Sequence, residues 1–186
     1  MSAIPYRNDL AAAESAAFDV RLEPHAGSRA ELRPLFELAE DSRAQLDSYL
    51  DSGRVLVALH GPDVIGHLQL IETDRPGEVE LKNMAVREDL QGRGVGRQLV
   101  SAALDLVAAE SASAMTVATA AADIGNLRFY QRQGFRMLAI ERDAFTPTSG
   151  YAPDIIIDGI DLRDRVWLDY QLRPEPPNTM RWPRLP

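Results

Sequence analysis

Between Gln91 and Arg97 the chain reads Gln-Gly-Arg-Gly-Val-Gly-Arg, three glycines and two arginines within seven residues. Without a Cβ, Gly92, Gly94 and Gly96 let an anion come within hydrogen-bond distance of the backbone. Gln91 opens the run, Val95 lies inside it, and Arg93 and Arg97 bring positive charge. Leu99, Ala103, Leu106 and Val107 follow at helical spacing, so the loop feeds a helix whose first-turn amides lack intrahelical partners. The field at such a helix end contributes about 0.3–1 kcal/mol, or ~2 when partly buried, so the arginines matter.

Spacing narrows the chemistry. A P-loop needs Lys and then Ser or Thr after its last glycine, and Arg97 and Gln98 stand there. A dinucleotide fingerprint needs a glycine where Arg97 stands. Two readings remain open: a cradle for a pyrophosphate, and a Gly-rich turn that only reverses the chain.

The flanking elements decide where such a loop sits. The stretch "VELKNMAV" predicts a strand over 79–86, and "AMTVAT" predicts another after the helix, which runs to about Glu110. Strand, loop, helix and strand in that order make a βαβ crossover. Upstream, "DVRLEP" predicts a strand at 19–24. Ser28 caps a helical run through Leu32, Leu35, Phe36 and Ala39, and a second helix spans about 42–50. Strands at 54–60 and 64–72 flank the turn residues Gly61, Pro62 and Asp63, as in a hairpin. Downstream, a helix from about Ile124 to Gln133 stops at Gly134, "FRMLAIER" is a strand, 143–163 is irregular and 166–172 is a final strand. The class is α/β or α+β with a mixed sheet and no internal repeat. The domain covers 19–173, between an N-terminal extension, 1–18, and a tail, 174–186, whose five prolines forbid regular structure.

A chain of 186 residues suits one domain with one sizeable core. The net charge of −8, from 28 acidic and 20 basic residues, argues against broad attraction to nucleic acid or anionic lipid. There is no cysteine, which removes disulfides, thiolate metal sites and a cysteine nucleophile. No two of His25, His60 and His67 stand at ligand spacing, so no metal site is expected. With no apolar run of membrane length and no secretory leader pattern, the expectation is a cytoplasmic protein.

These motifs together resemble the GNAT superfamily of acetyl-CoA-dependent N-acetyltransferases. "QGRGVG" is similar to its loop motif, "NMAV" to the end of the preceding strand, and "GNLRFYQRQGF" to its downstream Asn, Tyr and Gly-Phe signature. "ELKNMAV" with "DGIDLRDRVWL" looks like a bacterial, small-molecule-type subgroup. The resemblance implies a mixed, mostly antiparallel central sheet of about seven strands with helices on both faces. It also implies acetyl-CoA as co-substrate, no metal, and a cofactor site formed by Met84, Ala85, Val86, Gln91 through Arg97, Asn126 and Tyr130.

What the resemblance implies chemically is transfer to an amine. An amine of pKa ~10.4 is only about 0.04% neutral at pH 7, so a proton must be removed. Glu80, eleven residues before Gln91, matches the position of the base in some members; its other reading is a solvated strand residue beside Lys82. A strand amide near Met84 would hold the oxyanion, while the Met84 and Val86 main chain pairs with the pantetheine arm. Tyr130, four residues after Asn126 on one helix face, is protonated at pH 7 and can donate to the departing sulfur; otherwise it packs in the core.

For the acceptor, the segment 143–162 carries Asp143, Asp154, Asp158 and Asp161 with no Lys or Arg, and Asp164 follows. Folded over the acceptor channel it would favour a cationic small amine, with Phe145 and Tyr151 as apolar wall; otherwise it is a surface loop kept soluble by its aspartates. The leading expectation is therefore a small-molecule N-acetyltransferase. A protein or peptide N-acetyltransferase and a non-catalytic CoA-binding sensor are the alternatives. Oligomeric state stays open, a homodimer included, with Trp182 in the tail able to dock on a neighbour or on its own domain.

Overall fold

A computed structural model describes residues 18–173. The extension up to residue 17 and the tail from 174, Trp182 included, lie outside the described residues. Phe18, assigned above to the extension, belongs with the domain: its ring stacks on His60 at 4.4 Å.

The chain forms β1 (Arg21–Pro24), α1 (Arg29–Phe36), α2 (Arg43–Tyr49), β2 (Arg54–His60), β3 (Asp63–Glu72), β4 (Glu78–Val86), α3 (Val95–Ala109), β5 (Ala114–Ala120), α4 (Ile124–Arg132), β6 (Arg136–Glu141), β7 (Ile156–Ile157), β8 (Ile160–Asp161) and β9 (Arg165–Gln171). Seven strands make one sheet in the order β1-β2-β3-β4-β5-β9-β6, antiparallel throughout except for the β4–β5 pair. The segment expected to be irregular is only partly so. It holds a short 3-10 turn, Pro147–Ser149, and the separate hairpin β7–β8. Asp158 and Gly159 turn that hairpin with positive φ, a conformation that aspartate tolerates and glycine favours.

Two apolar layers cover the sheet. On one face α3 buries Val95, Leu99, Val100, Ala103 and Val107 against Leu68, Leu70, Leu81 and Met115. Each large side chain so buried contributes about 1.5–3 kcal/mol. On the other face Leu32 and Phe36 of α1 and Leu46 and Tyr49 of α2 meet Val55, Val57 and Leu59. Serines cap both of these helices: the Ser28 hydroxyl accepts from the Ala30 amide and that of Ser42 from the Gln45 amide. At the far end of α2, buried Gln69 of β3 donates to the carbonyls of Tyr49 and Ser52, each at 2.9 Å.

Strand β4 organises the rest. It pairs with β3 as far as Gly66 opposite Val86, with an irregularity where Gln69 faces Asn83 and Leu70 faces Leu81, which leaves Lys82 as the added residue of a bulge. Its parallel pairing with β5 covers only Glu78–Leu81 against Ala114–Val117. Beyond that point β5 continues beside β9 up to Ala120 opposite Arg165, and β4 continues beside β3. The sheet therefore opens into a V, and the β4 main chain from Lys82 to Val86 has no strand on that side.

Candidate active site

The V is the mouth of a cleft of about 1180 Å³. Its walls come from β4, the turn leading into α3, the end of β5, α4, the α1–α2 connection and the segment before β9. The β4 wall carries Glu80, Lys82, Met84, Ala85 and Val86, and the β5 wall Ala118, Thr119 and Ala120.

At one end lies the glycine loop. Gly92 and Gly94 adopt φ of +75° and +85°, so the turn needs residues without a Cβ. Gly94 is the N-cap of α3, and the first intrahelical bond is from the Gln98 amide to the Gly94 carbonyl, which leaves the amides of Val95, Gly96 and Arg97 ahead of it. At Gly96 a Cβ would stand in van der Waals contact, 3.4 Å from the Phe129 ring and 3.9 Å from Met84 Cε. Gln91 folds back and its Nε2 donates to the Val86 carbonyl at 3.1 Å, tying the loop to the end of β4. Gln91, Gly92, Gly94, Val95, Gly96 and Arg97 all line the cleft. Arg93 does not: its guanidinium sits over the Phe18 ring, 5.1 Å from the centroid, where an aromatic face outcompetes an open loop.

Asn126 and Tyr130 reach the same cleft from α4. Asp123, which the sequence reading passed over, caps α4 by accepting from the Asn126 amide at 2.7 Å and holds the Asn126 side-chain Nδ2 at 2.7 Å. An Asp directly ahead of a helical run was the available signal. The Tyr130 ring is buried between Phe129 and Phe135, with edge-to-face centroids 5.1 and 5.7 Å away, while its hydroxyl has no hydrogen-bond partner among the described residues. Burial first, and the Asp123 charge second, push the phenol above its ordinary value, so it keeps its proton.

Glu80 lies at the root of the V, beside Leu81, the last β4 residue paired with β5. Its side chain is 16% exposed and accepts from Lys82 Nζ at 3.1 Å. The opposite end of the cleft is closed by the segment before β9. Ser42 Oγ donates to the Gly150 carbonyl at 2.7 Å and Gln45 Nε2 to that of Ser149 at 2.8 Å, so the segment is fastened onto the start of α2. Phe145, Tyr151, Ile157 and Leu162 line this end, as do Arg165 and Trp167 of β9. Asp143, Asp154, Asp158 and Asp161 face outward and none lines the cleft. Three of them hold positive φ at turns, and Asp143 also pairs with Arg163 at 2.6 Å, which accounts for their placement. The acidic residues on the wall are Glu40, Asp41, Glu80 and Asp123.

Behind the wall runs a buried polar chain. His67 of β3 donates from Nε2 to Asn83 Oδ1 at 2.8 Å, Asn83 Nδ2 donates to Tyr49 Oη at 3.0 Å, and Tyr49 Oη donates to Glu40 Oε2 at 3.2 Å. These residues come from four elements or connections, and no sequence spacing marks them. Among the described residues no group of three or more His, Asp or Glu side chains is placed to hold a metal, and no helix is long and apolar enough to cross a membrane.

The profile of the Acetyltransferase (GNAT) family matches residues 21–135, more than half of the chain. The chain belongs to the GNAT family of acetyltransferases. It is 37% identical over 152 residues to the N-acetyltransferase YvbK of Bacillus subtilis (strain 168), covering 81% of this chain and 96% of that one. A crystal structure of a Bacillus subtilis acetyltransferase in complex with CoA superposes with a TM-score of 0.75 at 36% identity, over 82% of this chain and 99% of the other. A GNAT family acetyltransferase from Elizabethkingia anophelis with acetyl-CoA bound gives a TM-score of 0.74 at 29% identity, over 82% and 97%. The GNAT fold expected from the motifs is the fold observed, and this GNAT chain is an enzyme that uses acetyl-CoA. The cleft has amides ahead of the first helical bond and Arg97 at one end, and an unpaired strand edge between them and Glu80.

Proposed function

We propose that this chain transfers the acetyl group of acetyl-CoA to a primary amine of a small molecule, by direct attack in a ternary complex. One observation carries the reading. Glu80 of β4 and Tyr130 of α4 line a single cleft, onto which the unpaired part of β4 opens. Acetyl-CoA supplies an acetyl group activated as a thioester. Everything else is done by the chain.

The amides of the glycine loop and the start of α3, with Arg97, bind the pyrophosphate, and the main chain of Met84, Ala85 and Val86 receives the pantetheine arm as an added strand. Glu80 takes the proton that the amine must lose, and Lys82 at 3.1 Å fixes its carboxylate. A β4 amide near Met84 holds the charge that develops on the carbonyl oxygen. Tyr130, kept protonated by burial, gives its proton to the leaving sulfur, and Asn126 steadies the cofactor from the same helix. The segment before β9, a lid fastened to α2 over one end of the cleft, favours a small acceptor over a polypeptide in this reading. A chain without cysteine needs no oxidising compartment, and we place the activity in the cytoplasm.

The test is to incubate the protein with acetyl-CoA and a panel of small primary amines and of peptides, following thiol release and product mass. Amine-dependent release with acetylation of small amines is the expected result. Faster modification of peptides would favour a protein N-acetyltransferase, and binding of acetyl-CoA without any amine-dependent release would leave a CoA-binding module.

A further inference from the structure

The charged groups at the acceptor end of the cleft are matched, with one prominent exception. Lys82 has Glu80 at 3.1 Å and Arg165 has Glu141 at 3.1 Å. Glu40, in the α1–α2 connection and half-buried on the same wall, has no basic partner among the described residues. Exposed Asp41 beside it adds a second negative charge.

Glu40 is nonetheless held with care. Its Oε1 accepts from the Ser42 amide at 3.0 Å and its Oε2 from the Tyr49 hydroxyl at 3.2 Å. The Tyr49 hydroxyl is fixed by Asn83, and Asn83 by His67, so each donor in the buried chain points along it toward this carboxylate. The Tyr151 phenol closes against it from the lid, its acidity weakened by burial and then by the Glu40 charge. Burying His67, Asn83 and Tyr49 in a core costs free energy that apolar residues would not. What that cost secures is a negative charge of fixed position, facing a cavity in which the nearby cations Lys82 and Arg165 are paired with Glu80 and Glu141.

We propose that Glu40 is a specificity-determining residue that binds a second positive charge on the acceptor, so that the preferred acceptor is a diamine. This rests on the acetyl-transfer reading above. The reacting amine lies at the root of the V near Glu80, where a proton is removed, whereas Glu40 sits on the α1–α2 wall under the lid and meets the distal ammonium.

The experiment compares α,ω-diamines from 1,3-diaminopropane to 1,6-diaminohexane with the monoamines of matching length, on the wild type, Glu40→Gln and Glu40→Asp. The wild type should favour at least one diamine over its monoamine by about tenfold or more in kcat/KM, the scale of one charge pair in a partly dry site. Glu40→Gln should lose that preference through a higher diamine KM, with the monoamine and acetyl-CoA constants little changed, and Glu40→Asp should keep part of it. Equal use of diamines and monoamines by the wild type would overturn the proposal, even if the variants fail to fold. So would a Glu40→Gln protein that loses both acceptors equally, as a purely structural glutamate would. Absence of acetylation for every amine would instead remove the reading on which the proposal rests.

Discussion

Leu81 of β4 and Val117 of β5 are the last residues those strands pair, and one step beyond them the sheet divides. The division leaves hydrogen-bonding groups of β4 free in the middle of a sheet, where they would otherwise be satisfied. On the function proposed above, the strand-like arm of the cofactor would satisfy them, so this interruption of the sheet would also be its binding surface.

Beside that surface, at the start of α3, Gly96 has the Phe129 ring within contact distance. Replacing it with valine would drive methyl groups into the Phe129 ring, 3.4 Å from where even a Cβ would stand. Gly96→Val should weaken acetyl-CoA binding by about 1–3 kcal/mol, roughly ten- to more than a hundredfold, in a calorimetric titration. An unchanged affinity would mean that the start of α3 does not face the cofactor.

Tyr130→Phe removes only a hydroxyl that no described residue binds, so the ring packing against Phe129 and Phe135 survives. Turnover should fall by about 10²–10⁴-fold with the acetyl-CoA KM within about twofold of wild type. Because burial raises the phenol above its ordinary value, the wild-type rate should show no loss from Tyr130 ionisation at any pH below about 10. A turnover number unaffected by the substitution would assign the proton to another donor.

Glu80→Gln keeps the shape of the side chain beside Lys82 and removes its basicity. The rate at pH 7 should drop by about 10²-fold and recover as pH rises and the acceptor loses its proton in solution, giving a slope near one in log rate against pH. A profile parallel to that of the wild type would withdraw Glu80 as base.

His67 predicts a stability effect. Burial lowers its pKa from the ordinary histidine value to about 4, with the Asn83 hydrogen bond opposing the shift and Arg29 adding to it. The unfolded chain takes up the proton first, so this contribution to stability is complete above pH ~6.5 and is lost as pH falls through about 4. The loss is on the order of 3 kcal/mol. Urea unfolding at pH 7 and 4.5 should show it, and His67→Gln, which still donates to Asn83 without titrating, should flatten the difference. An equal pH dependence in both proteins would show that other groups carry it.

What could be read before folding was whatever sits close together in the chain. The cradle needs glycines at Gly92, Gly94 and Gly96, and Asn126 and Tyr130 share a face through helix periodicity alone, so both were visible. Arg93 was expected in the cleft from loop proximity, whereas its guanidinium lies over the ring of Phe18, distant in sequence. The aspartates of 143–161 suggested a charged lid; their outward placement follows from turn geometry, which composition does not show. The chain from His67 to Glu40 draws on residues 67, 83, 49 and 40, and only the pairing of β3 with β4 under α2 brings them together.

Lys82 gives β4 one residue more than its neighbour needs, and so changes the strand's parity midway. Beyond the bulge Asn83 turns toward α2 and the polar chain, while Met84 and Val86 pack on the side of α3. Were Lys82 to pair opposite Gln69 as an ordinary strand residue, the sides beyond it would be exchanged, sending the Asn83 amide into the apolar layer and the Met84 thioether to the tyrosine. The site's two chemistries are thus kept in phase by a single count, and a frame slip of one would undo both together.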